Sequence, residues 1–247
     1  MSPLHLSRTA SVLGSLALAA LAAACADTAV APSHESNGDA GDSENVYIVA
    51  EADIILNGHL FGRDNDTLVV LTHMRPNDQS AWFEFAEELA DNGFAALTFD
   101  FRGFGESDGD EDFDELDDDL RVVMEYMRAR GWTDILLVGA SMGGTAALVV
   151  AAEESVLGVV SVSSPAEFEA QNALAAAPAI TAPKLFIAAE EDTAAVLSLD
   201  ELVAAAGQPK ESQLYPGNDH GTNLLAGESA DAFRTLVLNF LREHRGN

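Results

Sequence analysis

Three observations predict an α/β fold: a mostly parallel central sheet with helices on both faces. Strand-like and helix-like segments alternate from Asn45 onward. Segments such as Thr67–Thr72 (TLVVLT) are continuous apolar runs rather than alternating ones, as strands covered on both sides are. The intervening segments carry apolar residues at helical spacing.

In chain order, Val46–Ala50 and Asp53–Phe61 are β-rich, and residues 62–66 (GRDND) form a turn before the strand Thr67–Thr72. Asp78 can cap the next helix, in which Trp82, Phe85, Ala86 and Leu89 share a face and which Gly93 ends. Phe94–Phe101 is the following strand. Asp112–Arg130 is a helix with one apolar stripe (Phe113, Leu116, Leu120, Val123, Met124, Met127). Acids crowd its first turns, and Arg128 and Arg130 lie in its last, both favourable to the helix dipole. Strands are expected at Ile135–Val138, Leu157–Val162, Lys184–Ala189 and Gln213–Tyr215, and helices at Met142–Glu154, Leu197–Ala206 and Ala230–His244. Residues 165–181 leave room only for a short Ala-rich helical excursion, so a large lid is not expected.

Residues 1–24 read as a targeting segment. His5 and Arg8 precede an uncharged run from Ala10 to Ala24, the layout of a secretory signal peptide. The run is about 15 residues long, short of the roughly 20 that span a bilayer. The sole cysteine, Cys25, ends it and has no disulfide partner in the chain. Residues 25–44 are small, polar and aperiodic, a flexible tether to a domain at 45–247.

The 247 residues carry 41 Asp+Glu against 12 Lys+Arg, a formal charge of −29. A nucleic-acid partner is excluded on this ground, because neutralising phosphates needs clustered cations. The charge also argues against a helix lying on an anionic membrane, which would need a basic face. With 48% hydrophobic residues the charge does not imply disorder. It implies a strongly solvated surface whose self-repulsion salt would screen.

The chemistry concentrates in Gly139-Ala140-Ser141-Met142-Gly143, which follows an apolar strand and opens a small-residue helix. In that setting a G-x-S-x-G segment is a nucleophile elbow. The glycines remove side chains that would clash across a tight turn, and the helix N-terminus favours negative charge in front of Ser141. A serine hydroxyl needs a base. Of six histidines, His5 and His34 fall in the targeting segment and tether, His59 in an early strand, and His244 on the terminal helix, while His73 closes a strand before the serine. His220 remains, in a loop between the last strand and the last helix. A carboxylate is needed to orient the imidazole, and Glu190, Glu191 and Asp192 end a strand between the two, with Glu167 a more distant alternative.

From about residue 45 onward the chain resembles the α/β-hydrolase superfamily, in the order nucleophile, acid, histidine. The resemblance implies an α/β-hydrolase fold with a minimal cap, and it favours Asp192 as the acid. Glu191 is a weaker candidate, because Ala189 stands where the family has glycine. Asp100-Phe101-Arg102-Gly103-Phe104-Gly105-Glu106-Ser107 is similar to the family's D-x-R-G-x-G-x-S turn, which shapes the site without reacting. Leu71-Thr72-His73-Met74-Arg75 holds the position of its oxyanion loop, with Met74 in place of the usual glycine. The backbone N–H groups of Arg75 and Met142 are thereby implied as oxyanion donors, and the Arg75 side chain either lines the pocket or faces solvent. Residues 21–25 resemble a bacterial lipoprotein signal, with Ala22 where Leu is usual, implying a lipid anchor on Cys25 and an exported, envelope-bound protein; the alternative is ordinary signal-peptidase cleavage after Ala24 or Ala26, with Cys25 incidental and the protein periplasmic or secreted. Membrane contact would be through that anchor alone.

The acidic run Asp108–Glu115 has aspartates at calcium-loop spacing, but Phe113 replaces the glycine such a loop requires, and a solvated helix start is expected. Neither a metal nor a cofactor is implied. Ser141 in place of Asp at the elbow disfavours dehalogenase and epoxide-hydrolase chemistry. In place of Cys it departs from dienelactone hydrolases proper. The expected activity is hydrolysis of small or exposed carboxylic esters through an acyl-enzyme. The alternatives are peptidase or thioesterase action by the same residues, or a catalytically silent envelope binding protein.

Overall fold

The computed structural model describes residues 41–246; the targeting segment, Cys25 and all but the end of the tether lie outside the described residues. Ten strands are present: β1 (Glu44–Glu51), β2 (Ile54–Phe61), β3 (Thr67–Thr72), β4 (Ala95–Phe99), β5 (Asp134–Ala140), β6 (Gly158–Val162), β7 (Glu167–Phe168), β8 (Gln171–Asn172), β9 (Lys184–Ala189) and β10 (Lys210–Tyr215). The α-helices are α1 (Phe83–Asp91), α2 (Leu116–Ala129), α3 (Met142–Glu153), α4 (Ala173–Ala176), α5 (Thr193–Ala205) and α6 (Ala230–His244).

Eight strands form one sheet in the order β1-β2-β4-β3-β5-β6-β9-β10. The β1–β2 and β2–β4 pairings are antiparallel. Every other pairing is parallel. The two-residue side-chain period sorts each strand between two cores. Leu68 and Val70 of β3, Ile135 and Leu137 of β5, and Phe186 and Ala188 of β9 face the side covered by α2, α3 and α5. Val69, Leu71, Leu136, Val138, Leu185 and Ile187 face the side covered by α1 and α6. Because both faces are covered, β3 is buried along its whole length, which explains its unbroken apolar sequence. β1 is an edge strand: Val46 and Ile48 are buried, while Tyr47 and Val49 are exposed.

α3 is buried on nearly all sides, and its Gly143, Gly144, Ala146 and Ala147 let it lie close under the elbow. α2 begins later than its apolar stripe implies. Asp112 accepts from the Asp114 N–H and caps a 3₁₀ turn at Phe113–Glu115 before the α-helix starts at Leu116. α5 begins four residues before the expected Leu197, because Asp192 caps it. β10 begins at Lys210 rather than Gln213: as an edge strand it pairs along its length with β9 and tolerates the polar residues Lys210–Gln213. Segment 165–181 is more than a helical excursion, forming the β7–β8 hairpin, α4 and a 3₁₀ turn at Ala177–Ala179. The chain's two lysines tie down the end of α5 and the loop that follows it. Lys184 Nζ donates to the Gly207 and Pro209 carbonyls, and Lys210 Nζ to those of Val203 and Ala206.

Candidate active site

β5 carries the chain to the carboxyl edge of the sheet, where it turns sharply into α3. Ser141 is the turn residue, with φ 49° and ψ −121°, a backbone conformation that L-residues rarely adopt. Its N–H is tied to the Val162 carbonyl of β6 (2.8 Å), and its own carbonyl accepts from Thr145 N–H (3.0 Å). The flanking glycines are needed for packing. A Cβ on Gly139 would lie 2.5–2.6 Å from Thr72 Oγ1, Gly143 O and Gly144 Cα, and one on Gly143 would lie 2.5 Å from His73 O. Thr72 Oγ1, at the end of β3, donates to the Gly143 carbonyl (2.9 Å) and fixes the start of α3 against the neighbouring strand.

His220 reaches the same point from the loop after β10. Its Nε2 lies 2.9 Å from Ser141 Oγ, and its Nδ1 lies 2.6 Å from Asp192 Oδ2. Asp192 is mostly buried (side chain 13% exposed) and His220 more open (39%). The other Asp192 oxygen, Oδ1, accepts the Ala195 N–H at the start of α5, so the cap that begins this helix also orients the carboxylate. The acid loop and the histidine loop are laced together by backbone bonds from Glu190 N–H to Tyr215 O and from Glu191 N–H to Gly217 O, both 2.8 Å. Glu190 and Glu191 are exposed, and Glu167 lies on β7, where its carboxylate accepts from Asn172. Among the described residues, His220 Nδ1 therefore meets Asp192 and none of these three.

The segment His73–Arg75 lies over the N-terminus of α3, as the close approach of His73 O to Gly143 shows. His73 is fully buried and accepts the Phe101 N–H on Nε2 (3.1 Å), so its proton sits on Nδ1, facing Met74 O (3.1 Å). Burial pushes its pKa down to about 4, so the ring is neutral. It pins the loop after β3 to the loop after β4. Met74 is buried, and its sulfur occupies the space a side chain on Gly221 would take, at 2.5 Å from that missing Cβ. The methionine in place of glycine thus packs under the His220 loop. Met142 is the first residue of α3, so its N–H lies outside the intrahelical ladder, and Arg75 N–H has no hydrogen-bond partner among the described residues. The Arg75 guanidinium lies 5.2 Å from the centre of the Phe113 ring, with Nε 3.4 Å from Glu111. The side chain is therefore more than half exposed, yet held at two points.

The 100–107 turn is a hydrogen-bonding hub. Asp100 accepts from Gln79 N–H (2.7 Å), Gln79 Nε2 (2.8 Å) and Glu106 N–H (3.0 Å), and burial lifts its pKa to about 6. Arg102 Nε and Nη2 both donate to Oδ1 of buried Asp119 (2.9 and 2.7 Å), and the Arg102 N–H donates to its Oδ2 (3.0 Å). Ser107 Oγ donates to Asp100 O and accepts from Asn57 N–H. None of these groups points to the Ser141–His220 line. Sequence reasoning missed Thr72 and Gln79. Each is a polar residue whose buried partner lies 20 or more positions away, and no local pattern announces the bond it makes.

The comparisons with known proteins agree on the fold. The family model for the alpha/beta hydrolase fold matches residues 67–218. The uncharacterized protein YfhR of Salmonella typhi is 22% identical over 240 residues, covering 81% of this chain and 82% of that protein. YfhR of Salmonella typhimurium is 29% identical over 112 residues; that match spans 42% of this chain and only 38% of the relative's length. Among solved structures, the esterase Pf2001 of Pyrococcus furiosus superposes with a TM-score of 0.73 at 19% identity, covering 83% of this chain and 92% of that one. A dienelactone hydrolase from Anabaena variabilis gives 0.70 at 21% identity, covering 83% and 98%. At these identities the likeness establishes the shared fold.

Proposed function

The chain belongs to the alpha/beta hydrolase fold family, and on that premise we propose that it is a serine hydrolase cleaving small or exposed carboxylic esters through an acyl-enzyme. The observation that carries this reading is the continuous hydrogen-bonded line Ser141 Oγ–His220 Nε2 and His220 Nδ1–Asp192 Oδ2, at 2.9 and 2.6 Å.

Ser141 Oγ attacks the ester carbonyl as His220 Nε2 takes its proton. Asp192 holds the Nδ1 proton in place, which leaves Nε2 free to accept, and it stabilises the imidazolium that results. Negative charge gathers on the former carbonyl oxygen, where the N–H groups of Met142 and Arg75 and the amino end of α3 meet it. Collapse of the intermediate expels the alcohol, protonated by His220 Nε2–H. Water then attacks the acyl carbon as His220 Nε2 takes its proton, and the second intermediate collapses to release the acid while His220 returns the proton to Ser141 Oγ. The small β7–β8 and α4 excursion fits an open cleft, which favours short acyl groups over long buried chains.

The test is hydrolysis of p-nitrophenyl acetate and butyrate by the wild type and Ser141→Ala. A rate well above background that the substitution abolishes supports the reading. Equal background rates in both would leave the fold as a binding scaffold. We also propose that the protein is exported and held at the cell envelope by a lipid on Cys25, a reading that rests on the sequence of residues 1–25.

A further inference from the structure

Arg75 has a set of contacts that the reaction above does not use. Its backbone belongs to the loop over the amino end of α3, while its side chain runs onto Phe113. Phe113 packs edge-on against Phe168 (5.4 Å between centroids) and lies 6.2 Å from Phe104, so the guanidinium tops an aromatic ledge beside the elbow. Its one ion-pair partner among the described residues, Glu111, meets Nε at 3.4 Å, with the two side chains 56% and 42% exposed. Such a pair is weak. It engages only Nε, and Nη1 and Nη2 have no partner among the described residues. Exposed Arg63 and Arg245 form no ion pair among the described residues, so the contrast is with the arginines that do pair. Arg102 is saturated by Asp119, Glu51 and Glu115, and Arg121, Arg128, Arg130 and Arg234 each donate at 2.9 Å or less to a carboxylate.

A guanidinium fixed by a ring face and a single Nε contact, with both terminal nitrogens open, presents the planar fork that fits a carboxylate. Standard bond lengths put it on the order of 6 Å from the Arg75 backbone nitrogen, about the span of a short dicarboxylic acid. The leaving alcohol must depart toward His220, whose loop comes from the β10 side of the elbow. Phe104 and Phe113 of the ledge come from the loop after β4, on the other side of β5 in the sheet order, with Phe168 of β7 closing it, so an acyl group lying away from His220 would extend toward Arg75.

We propose that Arg75 determines acyl specificity by binding a substrate carboxylate, so that the preferred substrates are half-esters of short dicarboxylic acids. The proposal rests on the serine-hydrolase reading and goes further by naming the substrate class. In a chain of net charge −29, a paired anion at this point would be admitted where the surrounding surface repels it.

The experiment compares kcat/KM for monoethyl glutarate and for ethyl valerate by pH-stat titration, in the wild type, Arg75→Met, Arg75→Lys and Glu111→Gln. The quantity read is the ratio of the two substrates within each protein, so a general loss of activity cancels. The expected result is a wild-type ratio above one, lowered at least tenfold by Arg75→Met, partly restored by Arg75→Lys and raised by Glu111→Gln. A ratio that stays within twofold of wild type in Arg75→Met overturns the specificity proposal, even if both esters are cleaved. Hydrolysis of neither ester above the Ser141→Ala background overturns the hydrolase reading, and this proposal with it.

Discussion

Replacing Asp192 by Asn separates the chemistry of the site from its stability. In the wild type, Asp192 Oδ2 receives the Nδ1 proton of His220 (2.6 Å), while Oδ1 caps α5 through Ala195 N–H. An asparagine keeps the cap, because Asn and Asp serve equally well there. Its amide NH₂ can face Nδ1, however, and a donor at that point drives the ring proton to Nε2. The ring then cannot accept from Ser141 Oγ. A wrong tautomer with intact geometry costs about 10⁴ in kcat in serine hydrolases, about 5.5 kcal/mol of barrier. Thermal stability should hardly move in Asp192→Asn. Asp192→Ala should also lose the cap, about 1 kcal/mol, or about 2–4 °C in Tm for a domain of this size. The assay is p-nitrophenyl butyrate hydrolysis beside a thermal melt for both variants, with Glu191→Gln as a control expected to keep wild-type activity. If Asp192→Asn retains more than a tenth of wild-type kcat, or Glu191→Gln loses activity instead, the assignment of the acid is wrong.

Three further outcomes are expected. His73 is neutral in the fold, with a pKa of about 4 against 6.5 when unfolded, so the unfolded chain binds more protons between those values. Its stabilising contribution is complete above pH 6.5 and falls by up to about 3 kcal/mol toward pH 4, and chemical denaturation across that range should show a smaller loss in His73→Gln. The surplus of acids predicts that Tm rises from low to molar NaCl, by about 2–4 °C for each kcal/mol of repulsion removed; a flat profile would mean that the charge serves solubility alone. If Cys25 carries a lipid, the full chain expressed in a bacterium should partition with membranes and take up labelled fatty acid, and Cys25→Ser should do neither.

The elements buried on both faces were the most legible in the sequence. β3 and the Ile135–Val138 stretch of β5 are apolar without interruption because α-helices cover both sides, as an interior parallel strand requires. The elbow was legible because its chemistry requires glycines at fixed offsets from Ser141, and the clashes at Gly139 and Gly143 show the cause. Edge features were not. The first half of β10 is polar because its outer side faces water, and the β7–β8 hairpin is only two residues per strand. Polar residues with distant buried partners were the least legible. His73 read as an oxyanion-loop residue and is a neutral pin between two loops, and Thr72 looked like the last residue of a strand before its bond to Gly143. Met74, a departure from the family pattern in the sequence, is accounted for by the bare Gly221 it packs against.

The most direct test is labelling of the purified protein with a fluorophosphonate probe, which reacts with an activated serine whatever the natural substrate. One label per chain on Ser141, abolished by Ser141→Ala and by His220→Ala, is the predicted result. A wild-type protein that stays unlabelled, or a Ser141→Ala variant labelled as strongly as the wild type, would contradict the assignment of Ser141 as the nucleophile.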